Sequence, residues 1–365
     1  MLSGARKTSI LVCGPFPQDD VFGGIASMME SYRQNESLFD SAGMSVTFQE
    51  SAVNCRGRQV GTGRVALLRS MLAPRYFRRA YSGASFDVVL MSTSRGYTLF
   101  RDLRSLLSLD SRSHALKCVF FHHVNDFDAF LSPLPVVNRR ISDYIKKLDI
   151  CLFLSRSTMD SFVSAGVVSP EKCRVISTFH SYPKAPGSHI DSEKAHVLFM
   201  GHLREAKGVN ELVRASKSFA PDKFVFDICG NGDEAIEREL RELSQSEDSC
   251  IAFHGYVKGA QKESLYRAAK VFLLPSYAEG MPVSMLEAMH FGCVPVVTGI
   301  GAVPEVIADG NGVLIESKNV QSIVDGVRYA LNNYDLLSEG AKATSSRYSL
   351  ESHIELIADA LRQKA

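Results

Sequence analysis

Two doubly wound α/β domains joined by a short break are what this sequence predicts, on three observations. Short, nearly unbroken apolar runs recur through both halves of the chain. Stretches with helical periodicity separate them. Residues 181–195, SYPKAPGSHIDSEKA, hold two prolines, a glycine and no periodicity, as a linker requires. At 365 residues the chain is too long for one ordinary core and suits two domains of roughly 150–200 residues each.

The runs of the first half are SILVCG, SVTFQE, DVVLMST, CVFFHH, ICLFLS and CRVIST; those of the second are HVLFMG, KFVFDICG, IAFHG, VFLLPS, VPVVTG and GVLIE. Most lack the in/out alternation of a one-sided sheet, which suits parallel strands buried on both faces. Helical candidates lie between them, among them GVNELVRASKSF, EAIERELREL and MPVSMLEAMHF. The expected domains are residues 1–183 and 184–345. A final helix within 346–365, SLESHIELIADALRQK, is a candidate to return to the first domain. Parallel sheets take ligands beyond the carboxyl ends of their strands, so two such domains facing each other would hold a ligand in the cleft between them.

Hydrophobic content of 45% with 22% charge is that of a soluble globular protein. No apolar run approaches the ~20 residues a membrane span needs. The first run ends in Gly14-Pro15 and reads as a strand rather than a signal peptide, so the expected location is the cytoplasm. None of the eight cysteines forms a C-x-x-C, which signals neither a zinc site nor a redox pair. The net charge of +1 hides an asymmetry: residues 1–183 carry 22 Lys and Arg against 15 Asp and Glu, and the remainder 19 against 25.

The strongest chemical signal is AEGMPVSMLEAMHFGCVPVV, residues 278–297. Glu279 follows the run VFLLPS and Glu287 lies eight positions on. Pro282 suits the first turn of the intervening helix, where its missing N–H costs nothing. The free N–H groups of that helix start favour a diphosphate. Carboxylates on either side can accept hydrogen bonds from sugar or ribose hydroxyls. Read alone, the same glutamates are as well explained as solvated residues near a helix start.

In the first half, Gly23 and Gly24 open GGIASMMESY. Glycine there lets the backbone approach a ligand with the helix dipole behind it; a tight turn is the plainer alternative. Asp126-Phe127-Asp128 could hold a divalent ion on a diphosphate. A single-domain, metal-dependent arrangement would leave the second Rossmann-like half unexplained, so these read as helix-start aspartates.

With these motifs in place, the sequence resembles glycosyltransferase family 4, a retaining family with the two-domain GT-B fold. EGMPVSMLE matches the family's Glu-x7-Glu element, including the Gly-x-Pro formed by Gly280, Met281 and Pro282. The resemblance implies that Glu279 contacts the donor sugar and Glu287 the ribose hydroxyls. VLFMGHLREAKGVNELVRA maps Gly201 and Lys207 onto the donor-phosphate site, FDICGNGDE supplies Gly230 and Gly232, and TGIGAVPEVIADGNGVLI resembles the Gly-rich loop that follows. It also places a histidine facing the donor sugar after CVFF: His122, with His123 as the alternative; a structural histidine at a strand end is the plainer reading. The likeness spans residues 196–316. Departures are His202 where the family usually has arginine, Gly301-Ala302 in place of paired glycines, and STFHSYP where an Asn-Gly is common. Arg204, two residues beyond His202, could reach the same phosphates.

The implied reaction is retaining transfer of a sugar from a nucleotide-diphosphate sugar, UDP-sugar first and GDP-mannose next. Same-face attack is assisted by the leaving phosphate, whose charge Lys207, Arg204 and helix N-termini would stabilise without a metal or other cofactor. Rivals are a sugar-nucleotide-binding scaffold of weak activity and a nucleotide-sugar epimerase of the same fold.

For the acceptor, the arginines are the clue. Seven arginines and no acid lie between Glu50 and Asp87. Arg64, Arg69, Arg75, Arg78 and Arg79 alternate with Val65, Leu68, Met71, Leu72 and Phe77, a basic and partly amphipathic stretch. Such a segment can lie on an anionic membrane surface. The expectation is a lipid-linked acceptor, such as a polyprenyl-diphosphate saccharide, used at the inner face of the membrane in polysaccharide or glycoconjugate assembly. A solvated arginine face or a soluble anionic acceptor is the alternative. No nucleic-acid-binding motif accompanies the arginines.

Overall fold

The computed structural model describes residues 6–17, 24–59, 64–81, 83–109, 115–122, 126–131, 135–182, 189–308 and 310–363. Each apolar run becomes a strand. In the first half these are β1 (Thr8–Gly14), β2 (Met44–Glu50), β3 (Val88–Thr93), β4 (Leu116–Phe121), β5 (Ile150–Phe153) and β6 (Cys173–Val175). In the second they are β7 (Ala195–Met200), β8 (Phe224–Cys229), β9 (Ile251–Gly255), β10 (Ala269–Leu274), β11 (Val294–Thr298) and β12 (Val313–Ile315). The first set forms one sheet in the order β2-β1-β3-β4-β5-β6, the second another in the order β12-β11-β10-β7-β8-β9. Every ladder is parallel. Two Rossmann-like α/β domains are therefore present, as the run pattern predicts.

The helices of the first half are α1 (Gly24–Gln34), α2 (Glu36–Ser41), α3 (Arg64–Ser70), α4 (Ala73–Tyr81), α5 (Tyr97–Leu107), α6 (Pro135–Ile145) and α7 (Arg156–Ser164). Those of the second are α8 (Val209–Ser216), α9 (Glu234–Ser244), α10 (Gly259–Ala268), α11 (Val283–His290), α12 (Val303–Val306), α13 (Val320–Asn332) and α14 (Tyr334–Ser345), with α15 (Leu350–Arg362) last. Central strands β3 and β5 are buried along their whole length, whereas the edge strand β2 begins by alternating buried and exposed residues. That contrast is why the inner runs read as continuous apolar stretches and the edge run does not.

The chain divides into two compact units, Met1–Ser177 with Glu351–Ala365, and Thr178–Leu350. The break thus falls at Ser177, six residues before the boundary read from the sequence, and residues 183–188 of the linker stretch lie outside the described residues. In unit 1, Ile354, Ile357, Ala358 and Leu361 of α15 are buried, an i, i+3, i+4, i+7 stripe that faces the core. His353 fixes the start of this helix. Its Nδ1 lies 2.7 Å from the Ser177 carbonyl and its Nε2 2.5 Å from the Tyr32 hydroxyl. A carbonyl only accepts, so Nδ1 carries the proton and Nε2 accepts from tyrosine. In unit 2, the His180 N–H donates to the Tyr348 carbonyl at 2.9 Å.

Candidate functional site

The second sheet grows outward from β7 through β8 to β9, then resumes on the other side with β10, β11 and β12. The strand order therefore reverses between β7 and β10, and the crevice at their carboxyl ends is where such sheets take ligands. Two loops leave the sheet there. One runs from Gly201 through the short 3-10 turn Glu205–Lys207 to α8; the other runs from Pro275 to α11. They are tied by the Tyr277 N–H donating to the Ala206 carbonyl at 2.8 Å.

Across this junction Lys207 Nζ meets Glu279 Oε1 at 2.5 Å. The Ser276 hydroxyl donates to the same oxygen at 2.6 Å. The lysine side chain is 21% exposed and the glutamate 9%, so the pair is partly shielded and both partners still reach the surface. Beside it, the Tyr277 hydroxyl donates to Glu211, and burial, then this bond, pushes the Tyr277 pKa up to about 12. These bonds join the loops after β7 and β10 and hold Glu279 in place at the switch point.

The neighbouring loops are packed backbone to backbone. Gly230 has φ +146°, and a Cβ there would stand 1.9 Å from the Gly201 carbonyl oxygen. Leu203 N–H donates to the Asn231 carbonyl at 2.9 Å and receives in turn Asp233 N–H at 2.8 Å on its own carbonyl. Gly301 has φ +59°, and its Cβ would stand 2.2 Å from the Glu279 carbonyl oxygen. Glycine at 230 is thus required by loop packing, whatever it does for a ligand, and Gly301 closes directly on the Glu279–Gly280 backbone.

Glu287 lies in α11 with both carboxylate oxygens engaged from α10. Lys262 Nζ sits 2.8 Å from each, and the Tyr266 hydroxyl donates to Oε2 at 2.8 Å. Burial, then the neighbouring Glu287 charge, raises the Tyr266 pKa well above that of an ordinary phenol, so it stays a donor. Met281 and Pro282 are buried at the entry to this helix. Pro282 differs from expectation: it is the residue before the helix, with ψ 116°, and not its first turn. The chain is still extended at Pro282, whose carbonyl receives the Met285 N–H at 3.2 Å. His202 and Arg204 are exposed, and the side chain of Arg204 has no hydrogen-bond or ion-pair partner among the described residues.

In unit 1, Gly24 begins α1, and a Cβ there would meet nothing within 4 Å; Gly23 and His123 lie outside the described residues. His122 follows β4, its N–H bonded to the Thr93 carbonyl at 3.3 Å and its ring 4.1 Å from that of Phe120. Phe120 in turn stacks on His353 at 5.9 Å. Asp126 and Asp128 stand at the start of a short 3-10 helix, Phe127–Phe130, as helix-start aspartates. Arg69, Arg75, Arg78 and Arg79 are all exposed, while the Arg64 side chain lies outside the described residues. Phe77 between them is fully buried.

Three contributors are absent from the sequence reading. Ser276 was discoverable from its place three residues before Glu279 in one loop. Lys262 and Tyr266 share one face of α10 by their i, i+4 spacing, but only tertiary packing brings that face to Glu287.

Residues 184–347 match the family of glycosyl transferases group 1. A 41.2 kDa protein in the cps region of Klebsiella pneumoniae is 21% identical over 325 residues, covering 84% of this chain and 87% of that protein. Among solved structures, the apo form of the lipopolysaccharide outer core galactosyltransferase WaaB superposes over 98% of this chain and 100% of its own, with TM-score 0.72 and 17% identity. The Anabaena protein HepE in complex with UDP covers the same shares, with TM-score 0.69 and 16% identity. Likeness at these identities is a likeness of fold. Taken with the family match that encloses Lys207, Glu279 and Glu287, it means that residues 184–347 form a glycosyl transferases group 1 domain, within a chain that has the GT-B fold.

Proposed function

We propose that this protein is a retaining glycosyltransferase that moves a sugar from a nucleotide-diphosphate sugar to a saccharide or lipid-linked acceptor. UDP-sugar is the favoured donor and GDP-mannose the next. The observation that carries this reading is the Lys207–Glu279 pair at the switch point of the second sheet, 2.5 Å apart and still reaching the surface. Breaking a sugar–phosphate bond builds negative charge on the leaving diphosphate. Lys207 and the exposed Arg204 are the residues placed to stabilise it, with no metal in the proposed scheme. Glu279 orients the donor sugar and Glu287 accepts from ribose hydroxyls; His122, Gly23 and Gly24 are carried as further donor contacts on the family resemblance alone. On this reading unit 2 takes the donor and unit 1 the acceptor. That HepE is solved with UDP supports the choice of base, and the cps setting of the Klebsiella relative supports a role in polysaccharide assembly.

The acceptor is proposed to be presented at an anionic membrane surface, the cytoplasmic face being the side on which nucleotide sugars are supplied. Among the described residues no helix is long and apolar enough to cross a membrane. The surface offered instead is the arginine-rich stretch, where Val65 and Leu68 are 63% and 72% exposed beside Arg69.

Thermal shifts with UDP, GDP, ADP and their sugar conjugates, each with and without EDTA, test the reading. A ligand at about 100 times its Kd adds roughly 2.7 kcal/mol. A shift with UDP that EDTA leaves unchanged and Glu287→Ala abolishes supports the donor site. No shift with any nucleotide overturns it, and binding without sugar transfer favours the scaffold.

A further inference from the structure

Unit 1 contains a groove of about 1130 Å³, above the size range of pockets that take drug-sized ligands, roughly 300–1,000 Å³. Five cations line it, Arg75, Arg78, Arg104, Lys117 and Lys147, and no acid does. Among the described residues none of the five is in an ion pair. Asp149, two residues beyond Lys147, is engaged on the backbone N–H of Lys117 at 2.8 Å.

The groove lies at the amino-terminal edge of the first sheet, the opposite end from His122. Lys117 is the second residue of β4, and Lys147 stands in the turn that leads into β5, so both mark the amino-terminal edge. Helix dipoles account for part of the charge. Arg104 and Lys147 stand at the carboxyl ends of α5 and α6, where a cation is favoured. They do not account for Arg75, which sits in the first turn of α4, where the dipole opposes a cation. Five like charges gathered in one concavity repel one another, and an anionic ligand is what relieves that. The apolar flank says which anion. Met71 and Leu72 line the groove, Leu72 is 36% exposed, and Val65 and Leu68 of the preceding α3 are also exposed.

We propose that this groove binds the phosphate-bearing headgroups of anionic phospholipids, with α3 resting on the acyl boundary. It is a site distinct from that of the donor. The inference rests on the membrane reading above and sharpens it, from a diffuse basic surface to one defined concavity with walls from α4, α5, α6, the start of β4 and the turn before β5.

Co-sedimentation of the full chain with vesicles at low salt tests it, phosphatidylcholine alone against phosphatidylcholine with phosphatidylglycerol. Three proteins are compared: wild type, Arg78→Gln with Lys147→Gln on two walls of the groove, and Arg56→Gln with Arg58→Gln, exposed outside it. Equal melting temperatures establish that all three are folded. Each basic residue at an anionic surface is worth about fivefold in partitioning, so the groove variant is expected to bind phosphatidylglycerol vesicles about 25-fold more weakly. The Arg56/Arg58 variant is expected to stay within about twofold of wild type. Equal losses in the two variants overturn the groove and leave the diffuse membrane surface standing. Wild-type protein that ignores phosphatidylglycerol overturns both.

Discussion

Lys207 and Glu279 can be separated as a stabilising pair and as reacting groups, because the two roles respond oppositely to a compensating change. Lys207→Met removes the ammonium but keeps the stem. It leaves a carboxylate that is only 9% exposed with the Ser276 hydroxyl at 2.6 Å. Stripping one partner from a buried ion pair costs about 3–5 kcal/mol. With the lysine 21% exposed and one donor retained, the expected cost falls below that range, about 2–3 kcal/mol. In a unit of this size that lowers the melting temperature by roughly 5–10 °C. Adding Glu279→Gln removes the uncompensated charge and keeps an acceptor for Ser276, so the double variant is expected to recover at least about 1.5 kcal/mol, a coupling energy expected between groups in contact. Turnover behaves otherwise: sugar transfer from the donor falls at least about 100-fold in the single variants and is not restored in the double. Thermal denaturation and a transfer assay on the same four proteins give both readouts. A double variant as unstable as Lys207→Met refutes the pairing argument. Recovery of turnover with stability shows that neither side chain reaches the donor.

Three further outcomes follow from the geometry. Burial drives the pKa of His353 down to about 4, opposed by its bond to the Ser177 carbonyl. The unfolded chain, with histidine near 6.5, therefore takes up a proton the folded protein refuses. Stability present above pH ~6.5 is lost as pH falls toward 4, about 2 kcal/mol between pH 7 and 5; a His353→Leu variant with the same loss over that interval in urea melts contradicts the assignment. Gly301→Ala must place a Cβ 2.2 Å from the Glu279 carbonyl at φ +59°, so it is expected to cost about 1–3 kcal/mol and to depress sugar transfer, with melting curves and kcat as the readouts. Lys262→Met frees Glu287 from an ammonium at 2.8 Å and leaves Tyr266 in place. The expectation is a donor KM raised about fivefold with kcat near wild type, whereas a fall in kcat at constant KM would place Lys262 elsewhere in the cycle.

What was legible from the residues depended on whether the cause was local. A strand buried on both faces is apolar at every position, so runs such as DVVLMST and ICLFLS declare themselves, and the helical stripe of α15 does the same. Glu279 could be named from its place after a strand and its spacing to Glu287, and Lys207 only from the family resemblance of its segment, although only the strand order β10-β7 shows why those two loops meet. Pro282 was placed one residue too far into its helix because the extended φ and ψ of a preceding residue leave no mark on composition. Lys262 and Tyr266 stayed hidden since their importance comes from packing α10 against α11. The groove was half visible: its arginines stand in one stretch, but Lys117 and Lys147 join them only through the fold of the sheet.

Unit 1 is assembled from two pieces of chain separated by the whole of unit 2. A ribosome therefore delivers the second unit complete while the first still lacks α15, and Tyr32 and Phe120 must wait for His353 to arrive. The second unit is in effect an insertion between two points of the first that a single hydrogen bond spans, Ser177 to His353 at 2.7 Å. Neighbouring ends of this kind are what make a domain exchangeable. A different second unit could be spliced between Ser177 and Glu351 without lengthening any path in the host. By the same logic, loss of the final dozen residues would not trim a tail; it would open the core of unit 1.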